Sequence, residues 1–400
     1  MLRFRPWAQP GFLVPLLLGG TLAADLALRL LPRDWVSYRA WEAVRTFATP
    51  PFEARARYRQ ERTYGNLAAL GNLPSLRQYR SVTFTTDAFG YHNPPQLADT
   101  TRIAALLLGD SFAAGAEVND DETFAVQLGR RTGRSVYNAA PGNPAPAYVR
   151  DLARQVRMRD GLVIFEYYEG TGLPGLELQP FDTRAARCGK VLGAWNLPVP
   201  CRVVTWTMEQ FPVSPLQVFA RRAYRRLQND RLLPNPGRDR VVPAALADGS
   251  VMLFSAEARA QLRSSRPVAA ACRFISWAAG RLATQRLRML VVLVPDKYAV
   301  YAPLLRSPDW EPVDSQTYLA RLEGRLRTAG VPVVNLAAPL RAAARAALAE
   351  GALIYWKDDT HWNAAGIDVA ATVVAPELKR LSSPGEPAPA ARPRPGCGRD

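Results

Sequence analysis

Two short strings near opposite ends of the chain carry residue types that can perform nucleophilic catalysis. Gly109 to Phe112 (Gly-Asp-Ser-Phe) directly follows an apolar run, and Asp359 to Trp362 (Asp-Thr-His-Trp) lies near the C-terminus. A serine hydroxyl is a poor nucleophile at neutral pH until an imidazole takes its proton and a carboxylate orients that imidazole. We therefore expect Ser111, His361 and Asp359 to act as nucleophile, base and acid.

Few residues can serve as the catalytic base, because the chain of 400 residues contains only two histidines, His92 and His361. His92 lies in a stretch rich in turn-forming residues, so we predict a structural role for it. His361 has one structural alternative, the cap of a helix expected from Asn363 to Leu381. The acid is less narrowly defined, since Asp358 is an alternative to Asp359 at a spacing of three residues instead of two.

Ordered blocks over roughly residues 80 to 382 carry a resemblance to a known family. The blocks are Gly109 to Phe112, Tyr137 to Asn143, Val294 to Lys297 with Tyr301 just beyond, and Asp359 to Gly366. They resemble the SGNH/GDSL superfamily of serine esterases and acyltransferases. Within it, the Asp-x-His-Trp-Asn block resembles the exported polysaccharide O-acetylation proteins of the alginate type. In that group the Asp-His pair precedes the serine, whereas here it follows.

The resemblance implies further site residues. The backbone NH groups of Ser111 and Gly142 are expected to hold the oxyanion. Thr171 stands where the family usually has an oxyanion asparagine, and Asn143 is either a substitute donor or an ordinary turn former. Trp362, Lys297 and Tyr301 are expected to bind substrate.

The apolar runs predict a parallel α/β sheet. Strands are expected near Ile103 to Leu108, Ser135 to Asn138, Leu162 to Tyr167, Met289 to Val294 and Val331 to Asn335, with helical patterns between them. The resemblance implies a flavodoxin-like three-layer sandwich over residues 81–382. An insertion at about 172–285 is predicted to be a cap, or else helices that pack on the sheet. Residues 32–80 are predicted to be a stalk and lead-in segment, and 383–400 a disordered tail.

The N-terminus predicts export. Arg3 and Arg5 precede an apolar segment, residues 11–31, whose uninterrupted part ends at Ala24. That part is shorter than the roughly 20 residues of a spanning helix. It fits a cleaved signal peptide or an uncleaved signal anchor within residues 1–31, and we favour the anchor. The protein would then be periplasmic and tethered to the inner membrane, or secreted if the segment is cleaved.

The composition of the chain indicates which classes of molecule the protein is expected to bind. The formal net charge of +16 predicts a basic surface that attracts anionic lipids, acidic polysaccharide or nucleic acid. Nucleic acid is disfavoured because the chain has an export signal and no recognisable binding module. Four cysteines lack metal-ligand spacing, and no metal or organic cofactor is expected. Cys188 and Cys201 are candidates for a local disulfide, a bond to Cys397 would hold the tail, and the alternative is four free thiols.

The predicted reaction is acyl transfer from an ester, with an acetyl group as the favoured acyl group. Water as acceptor makes the protein an esterase, and a sugar hydroxyl makes it an O-acetyltransferase. Export and the resemblance favour polysaccharide as substrate over another acylated compound, with a membrane acyltransferase as a possible partner. The alternatives are a catalytically weak or inactive SGNH scaffold that binds polysaccharide in a secretion or modification complex, and a lipid esterase with a hydrophobic lid.

Overall fold

A computed structural model gives the structure of this protein. It describes residues 10–28, 30–31, 39–44, 52–97, 102–158, 161–170, 237–262, 267–308, 317–382 and 397, with a few isolated positions from 216 to 235. Thr171 and most of the predicted insertion up to residue 236 lie outside the described residues, as do the tail positions other than 397. A hydrophobic lid, on which the lipid-esterase alternative depends, would fall largely in this undescribed part.

Five of the strands form one parallel sheet. In chain order the strands are β1 (Arg57–Thr63), β2 (Arg80–Thr85), β3 (Ala105–Leu108), β4 (Val136–Asn138), β5 (Gly161–Tyr168), β6 (Val241–Ala245), β7 (Val251–Ser255), β8 (Leu287–Val294) and β9 (Val333–Asn335). The sheet has the order β4-β3-β5-β8-β9, and every neighbouring pair is parallel. The five predicted sheet strands are therefore confirmed, with end positions that differ by no more than two residues.

The described part of the chain contains twelve α-helices. They are α1 (Pro10–Leu28), α2 (Ala40–Ala43), α3 (Asn66–Leu70), α4 (Ser111–Ala114), α5 (Phe124–Thr132), α6 (Pro146–Gln155), α7 (Ala256–Leu262), α8 (Ala269–Ala283), α9 (Lys297–Tyr301), α10 (Tyr318–Thr328), α11 (Ala337–Ala349) and α12 (Ala364–Ser382). Helices α5, α11 and α12 share an apolar core with one face of the sheet, and α6, α8 and α10 share a core with the other. The predicted α/β class with a central parallel sheet is confirmed, and its layers fit an SGNH-like fold.

The sheet topology explains where a site can form. Counted among themselves, the five sheet strands have the spatial order 2-1-3-4-5, which is the flavodoxin-like order. The chain leaves β3 towards one edge of the sheet and later returns on the other side of β3 as β5. Such a reversal opens a crevice at the carboxyl ends of the strands. Ser111 follows β3 by three residues and so lies at this reversal.

The lead-in segment differs from the predicted stalk. Strands β1 and β2 form an antiparallel hairpin, and Trp41, Phe52 and Phe84 join one small apolar core with it. A second hairpin, β6 and β7, comes from the described end of the predicted insertion. The backbone NH of Leu253 in β7 donates to the carbonyl of Lys357 at 2.8 Å. Both hairpins contact the SGNH-like part of the chain, because Phe84 of β2 shares its core with Ala116 and the NH of Leu253 pairs with Lys357.

An N-terminal helix and one disulfide lie outside the sheet and its two hairpins. Helix α1 has 19 residues, and its Leu16 and Leu22 are exposed. No helix in the described part of the chain is both long enough and apolar enough to cross a membrane. Cys272 and Cys397 form a disulfide, so the alternative of four free thiols is wrong. Cys188 and Cys201 lie outside the described residues.

Candidate active site

The nucleophile candidate lies on a tight turn after β3. Ser111 begins helix α4, and the Asp110 carboxylate caps this helix by accepting the backbone NH of Phe112 at 2.8 Å. Gly109 has no room for a side chain, since an added Cβ would lie 2.8 Å from Cβ of Glu166 and 2.9 Å from Cβ of Ala113. In the sequence Gly-Asp-Ser, the glycine thus lets the turn pack closely against Glu166 and Ala113, the aspartate caps α4, and the serine provides the hydroxyl.

The predicted nucleophile, base and acid meet in one hydrogen-bonded relay. Nε2 of His361 lies 2.7 Å from Oγ of Ser111, and Nδ1 of His361 lies 2.5 Å from Oδ1 of Asp359. The same Asp359 oxygen accepts the backbone NH of His361 at 2.9 Å. Asp359 is fully buried and His361 nearly so, which strengthens these contacts by excluding water. The arrangement can move a proton from the serine hydroxyl to the imidazole while the carboxylate fixes the tautomer.

The two neighbouring aspartates have different partners. The carboxylate of Asp358 accepts the backbone NH groups of Gly65 and Gln78, each at 2.8 Å, and an Arg80 NH at 3.0 Å. It therefore faces the lead-in segment, and only Asp359 reaches the imidazole. Burial raises the pKa of the Asp359 carboxyl, but the charges of His361 and Arg39 outweigh burial and hold this pKa well below its ordinary value. Asp359 is therefore ionised at neutral pH, as the acid of a relay must be.

A buried lysine holds the backbone beside the relay. Nζ of Lys297 donates to the carbonyls of Trp356, Lys357 and Asp359 at 2.8, 3.2 and 2.7 Å. Its side chain starts at the first residue of α9, directly after the helix cap Asp296. Burial lowers the pKa of Lys297 to about 7, although the carboxylates of Asp359 and Asp358 oppose this shift. The ammonium thus ties three carbonyls within residues 356–359 to α9.

The three residues that were expected to bind substrate lie in the interior instead. Lys297 is 2% exposed, Tyr301 0% and Trp362 1%. The Tyr301 hydroxyl accepts the backbone NH of Ile354 at 2.9 Å, and the Trp362 indole NH donates to the carbonyl of Phe112 at 3.3 Å. Their polar atoms are used inside the protein, so they position the relay and leave no group for a ligand. The substrate-binding prediction is corrected accordingly.

The oxyanion side is less complete. The backbone NH of Gly142, the expected donor, donates to the Gly109 carbonyl at 2.8 Å, and the Gly109 NH returns the bond at 2.9 Å. The expectation that Gly142 offers a ready donor is therefore wrong for this conformation. Oδ1 of Asn143 accepts the backbone NH of Ala145 at 3.0 Å, as in a turn former. Ser111, at the first position of α4, has no intrahelical acceptor for its NH, which makes that NH the best placed donor.

His92 has the structural role predicted for it. Its ring stacks on Phe84 with centroids 3.8 Å apart, and its two nitrogens lie 2.8 Å from the Ala114 carbonyl and 3.1 Å from the Asp120 carboxylate. Within the described residues, no group of three or more His, Cys, Asp or Glu side chains is arranged to hold a metal ion.

Residues 252–394 match a family model described as an SGNH hydrolase-like domain, acetyltransferase AlgX. The chain resembles the SGNH proteins of alginate O-acetylation. Comparison with curated proteins finds no match. The matched part contains the base and acid of the relay and Lys297, whereas Ser111 lies far upstream of it. The SGNH resemblance stated from the motifs is thus confirmed on the part of the chain that contains His361.

Several residues around the relay carry no motif and were not predicted. Asn66 donates its backbone NH to Oδ2 of Asp359 at 2.6 Å, and its side chain exchanges two hydrogen bonds with Thr360. Arg39 and Arg80 also contact Asp359, and Glu117 lies between the two arginines. Arginine is so common in the lead-in segment that nothing in the sequence separates these two from their exposed neighbours.

Proposed function

We propose that this chain is an acyl-ester hydrolase or O-acetyltransferase that acts on cell-surface or extracellular polysaccharide. The observation that carries the proposal is the continuous relay from Ser111 Oγ through His361 to Asp359, with hydrogen bonds of 2.7 and 2.5 Å. The family match supports the class of reaction, since the matching model is described as an acetyltransferase. Polysaccharide as substrate rests on the resemblance to the alginate O-acetylation proteins and on export.

The relay supports a two-step acyl transfer. Ser111 Oγ attacks the ester carbonyl while Nε2 of His361 takes the hydroxyl proton, and the Ser111 NH donates to the oxyanion. The intermediate then expels the alcohol, which leaves with the proton from His361. The resulting acyl-serine is attacked by water or by a sugar hydroxyl, again with His361 as base, and the second collapse restores the free serine.

Export is supported by two features of the chain. The Cys272–Cys397 disulfide is of the kind that persists in oxidising compartments such as the periplasm. Helix α1 follows two N-terminal arginines and exposes Leu16, Leu22 and Leu26. We propose a periplasmic protein that the N-terminal segment holds at the inner membrane, where a membrane acyltransferase partner would supply acyl groups.

A scaffold without catalytic activity is the second candidate, and one observation favours it. The mutual hydrogen bonds between Gly109 and Gly142 occupy the NH that SGNH enzymes are expected to direct at the oxyanion. Removal of one oxyanion donor commonly slows such reactions by about a hundredfold or more. A scaffold would bind polysaccharide at the same crevice and leave its ester groups intact.

The test is turnover of acetyl esters by the full-length protein in detergent, compared with Ser111→Ala. Ser75→Ala, at an exposed position, is the matched control. We expect turnover by wild type and the control, and background rates for Ser111→Ala. Transfer of acetyl groups to added oligosaccharides, measured by mass spectrometry, separates a transferase from an esterase. Equal background rates for all three folded proteins, together with retained glycan binding, would establish the scaffold instead.

A further inference from the structure

A buried cluster of charged side chains lies behind the relay, on the side of Asp359 opposite His361. We name it the charge cluster, and it consists of Arg39, Arg80, Glu117, Asp358 and Asp359. The side chains of the two arginines are 5% and 7% exposed, and the three carboxylates 0% or 1%. Buried charges are costly unless they are paired. The pairing pattern therefore indicates what each member does.

Arg39 joins the relay to the lead-in segment. Its Nη2 lies 3.4 Å from Oδ2 of Asp359, while its Nε donates to Oε1 of Glu117. Its Nη1 donates to the Glu42 carboxylate at 3.2 Å, and the guanidinium lies 5.2 Å from the ring centre of Trp41. The Asp359 oxygen that Arg39 contacts is not the oxygen that faces His361. The guanidinium can thus fix the rotation of the carboxylate without competing with the imidazole.

Glu117 links Arg39 to the segment of the chain that contains Ser111. It is six residues after Ser111, and its other oxygen accepts an Arg80 NH at 2.9 Å. Arg80 in turn contacts Asp358 at 3.0 Å, so the two arginines alternate with the three carboxylates. Burial raises the pKa of Glu117, and the Arg39 guanidinium opposes that shift.

We propose that Arg39 is a positioning residue for the relay, which holds the Asp359 carboxylate in register with His361 and offsets its buried charge through the bridge to Glu117. The inference rests on the proposed function and deepens it. It makes the segment next to α1 part of the reaction machinery. Arg39 touches no reacting atom and acts only through Asp359.

Loss of the guanidinium leaves Glu117 and Asp359 with one cation fewer between them. The remaining charges that face Asp359 are Arg80, Asp358 and the Lys297 ammonium on the Asp359 carbonyl, and Glu42 faces the vacated position. The Asn66 NH still donates to Oδ2 of Asp359, so the carboxylate shifts only slightly, and small misplacements of catalytic groups cost up to about a hundredfold in rate. The loss of a positive charge also favours the protonated imidazole, so that a higher pH is needed to generate the base.

The kinetic test compares Arg39→Met with Arg39→Lys, Glu117→Gln and the control Arg59→Met, whose side chain is 63% exposed and pairs with Glu61. For Arg39→Met we expect kcat for an acetyl ester to fall by about tenfold to a hundredfold with KM unchanged. The acid limb of its pH profile should move to higher pH. Arg39→Lys should recover part of kcat, and Arg59→Met should match wild type. A wild-type kcat and pH profile in folded Arg39→Met would overturn the proposal.

A second readout is independent of turnover, because the chain contains only two histidines. The ring NH signals of His361 can be followed by NMR in the full chain, with those of His92 as an internal reference and Asp359→Asn to assign the proton shared with Asp359. We expect that proton to move upfield and to exchange faster in Arg39→Met, and in Glu117→Gln if Arg39→Met does not fold. If the wild-type protein turns over no ester but the signal changes in Arg39→Met, the positioning role stands and the proposed function is wrong. If the wild-type protein turns over the ester but the signal is the same in Arg39→Met, the proposed function stands and the positioning role is wrong.

Discussion

The two sides of Ser111 differ in how completely the protein holds them. On the base side lie residues 354–363, here called the Asp-His loop. This loop accepts hydrogen bonds from Lys297, Asn66 and the β7 backbone, and its Ile354 NH donates to the Tyr301 hydroxyl. On the oxyanion side, the expected donor of Gly142 is bonded to Gly109, and the position of Thr171 lies outside the described residues. One side is fixed in the geometry that the reaction needs, and the other offers, among the described residues, one well-placed NH.

This difference separates two requirements of acyl transfer. A relay makes the nucleophile, but preorganised donors at the oxyanion usually supply the largest share of the rate. A chain with a rigid relay and an occupied donor is therefore expected to form an acyl-enzyme slowly. If substrate binding opens the Gly109–Gly142 pair, the second donor becomes available at the moment of reaction. Substitutions on either side of Ser111 disturb these two requirements separately.

The largest effect is expected for the two neighbouring aspartates of the Asp-His loop. Asp359→Asn replaces the acceptor of the His361 Nδ1 proton with a group that favours the wrong tautomer, and kcat should fall by about ten-thousandfold. Asp358→Asn removes the partner of Arg80 and the charge that two backbone NH groups contact. It should cost about 3–5 kcal/mol of folding free energy yet keep most of kcat, because the relay does not include it.

Esterase kinetics and urea unfolding of both variants measure this contrast. Each variant serves as the control for the other, since both lose one buried carboxylate charge. A larger loss of kcat in folded Asp358→Asn than in Asp359→Asn would show that the acid of the relay has been assigned to the wrong residue.

A smaller effect is expected for Lys297→Met, which removes three hydrogen bonds to the Asp-His loop. Between about pH 7 and the ordinary value of 10.5, the unfolded chain holds a proton on this side chain that the folded protein has lost. The free energy of unfolding should therefore rise with pH over this window, by about 1.4 kcal/mol for each unit of pKa difference. Lys297→Met should lose that rise, and its kcat should fall as the loop loosens.

Urea unfolding at several pH values from 7 to 10 provides the measurement, with the exposed Lys379→Met as the control. The control should keep the wild-type slope of stability against pH. Identical slopes in all three proteins would mean that Lys297 holds its proton throughout this window in both states.

The sheet strands and the position of Ser111 were predictable from the sequence for one physical reason, and His361 was predictable for another. Strands such as β3 and β8 are buried on both faces, so they read as continuous apolar runs, and residues directly after them must lie at the carboxyl edge. Ser111 has that position. His361 was identifiable because the only other histidine lies in a turn-rich stretch.

The supports of the relay were not predictable. Arg39 and Asn66 reach Asp359 across more than 290 positions of the chain, and neither belongs to a local pattern. Lys297 was recognised by its motif but given the wrong role, because a sequence does not reveal whether a lysine points to solvent or to backbone carbonyls. The Gly142 NH was misjudged for a related reason: backbone pairing of two loops depends on tertiary geometry that neither loop encodes alone.

The smallest effect is expected on the oxyanion side, from Asn143→Ser. A serine hydroxyl can accept the Ala145 NH as the asparagine carbonyl does, whereas it removes the side-chain amide. If Asn143 is a turn former, folding is kept and kcat changes by less than about threefold, while loss of a genuine oxyanion donor costs about a hundredfold. Comparison with Asn143→Ala, which also loses the turn contact, separates a structural loss from a catalytic one. A hundredfold fall in kcat for both variants, with unchanged thermal stability, would place the amide at the oxyanion and make the two sides of Ser111 equally complete.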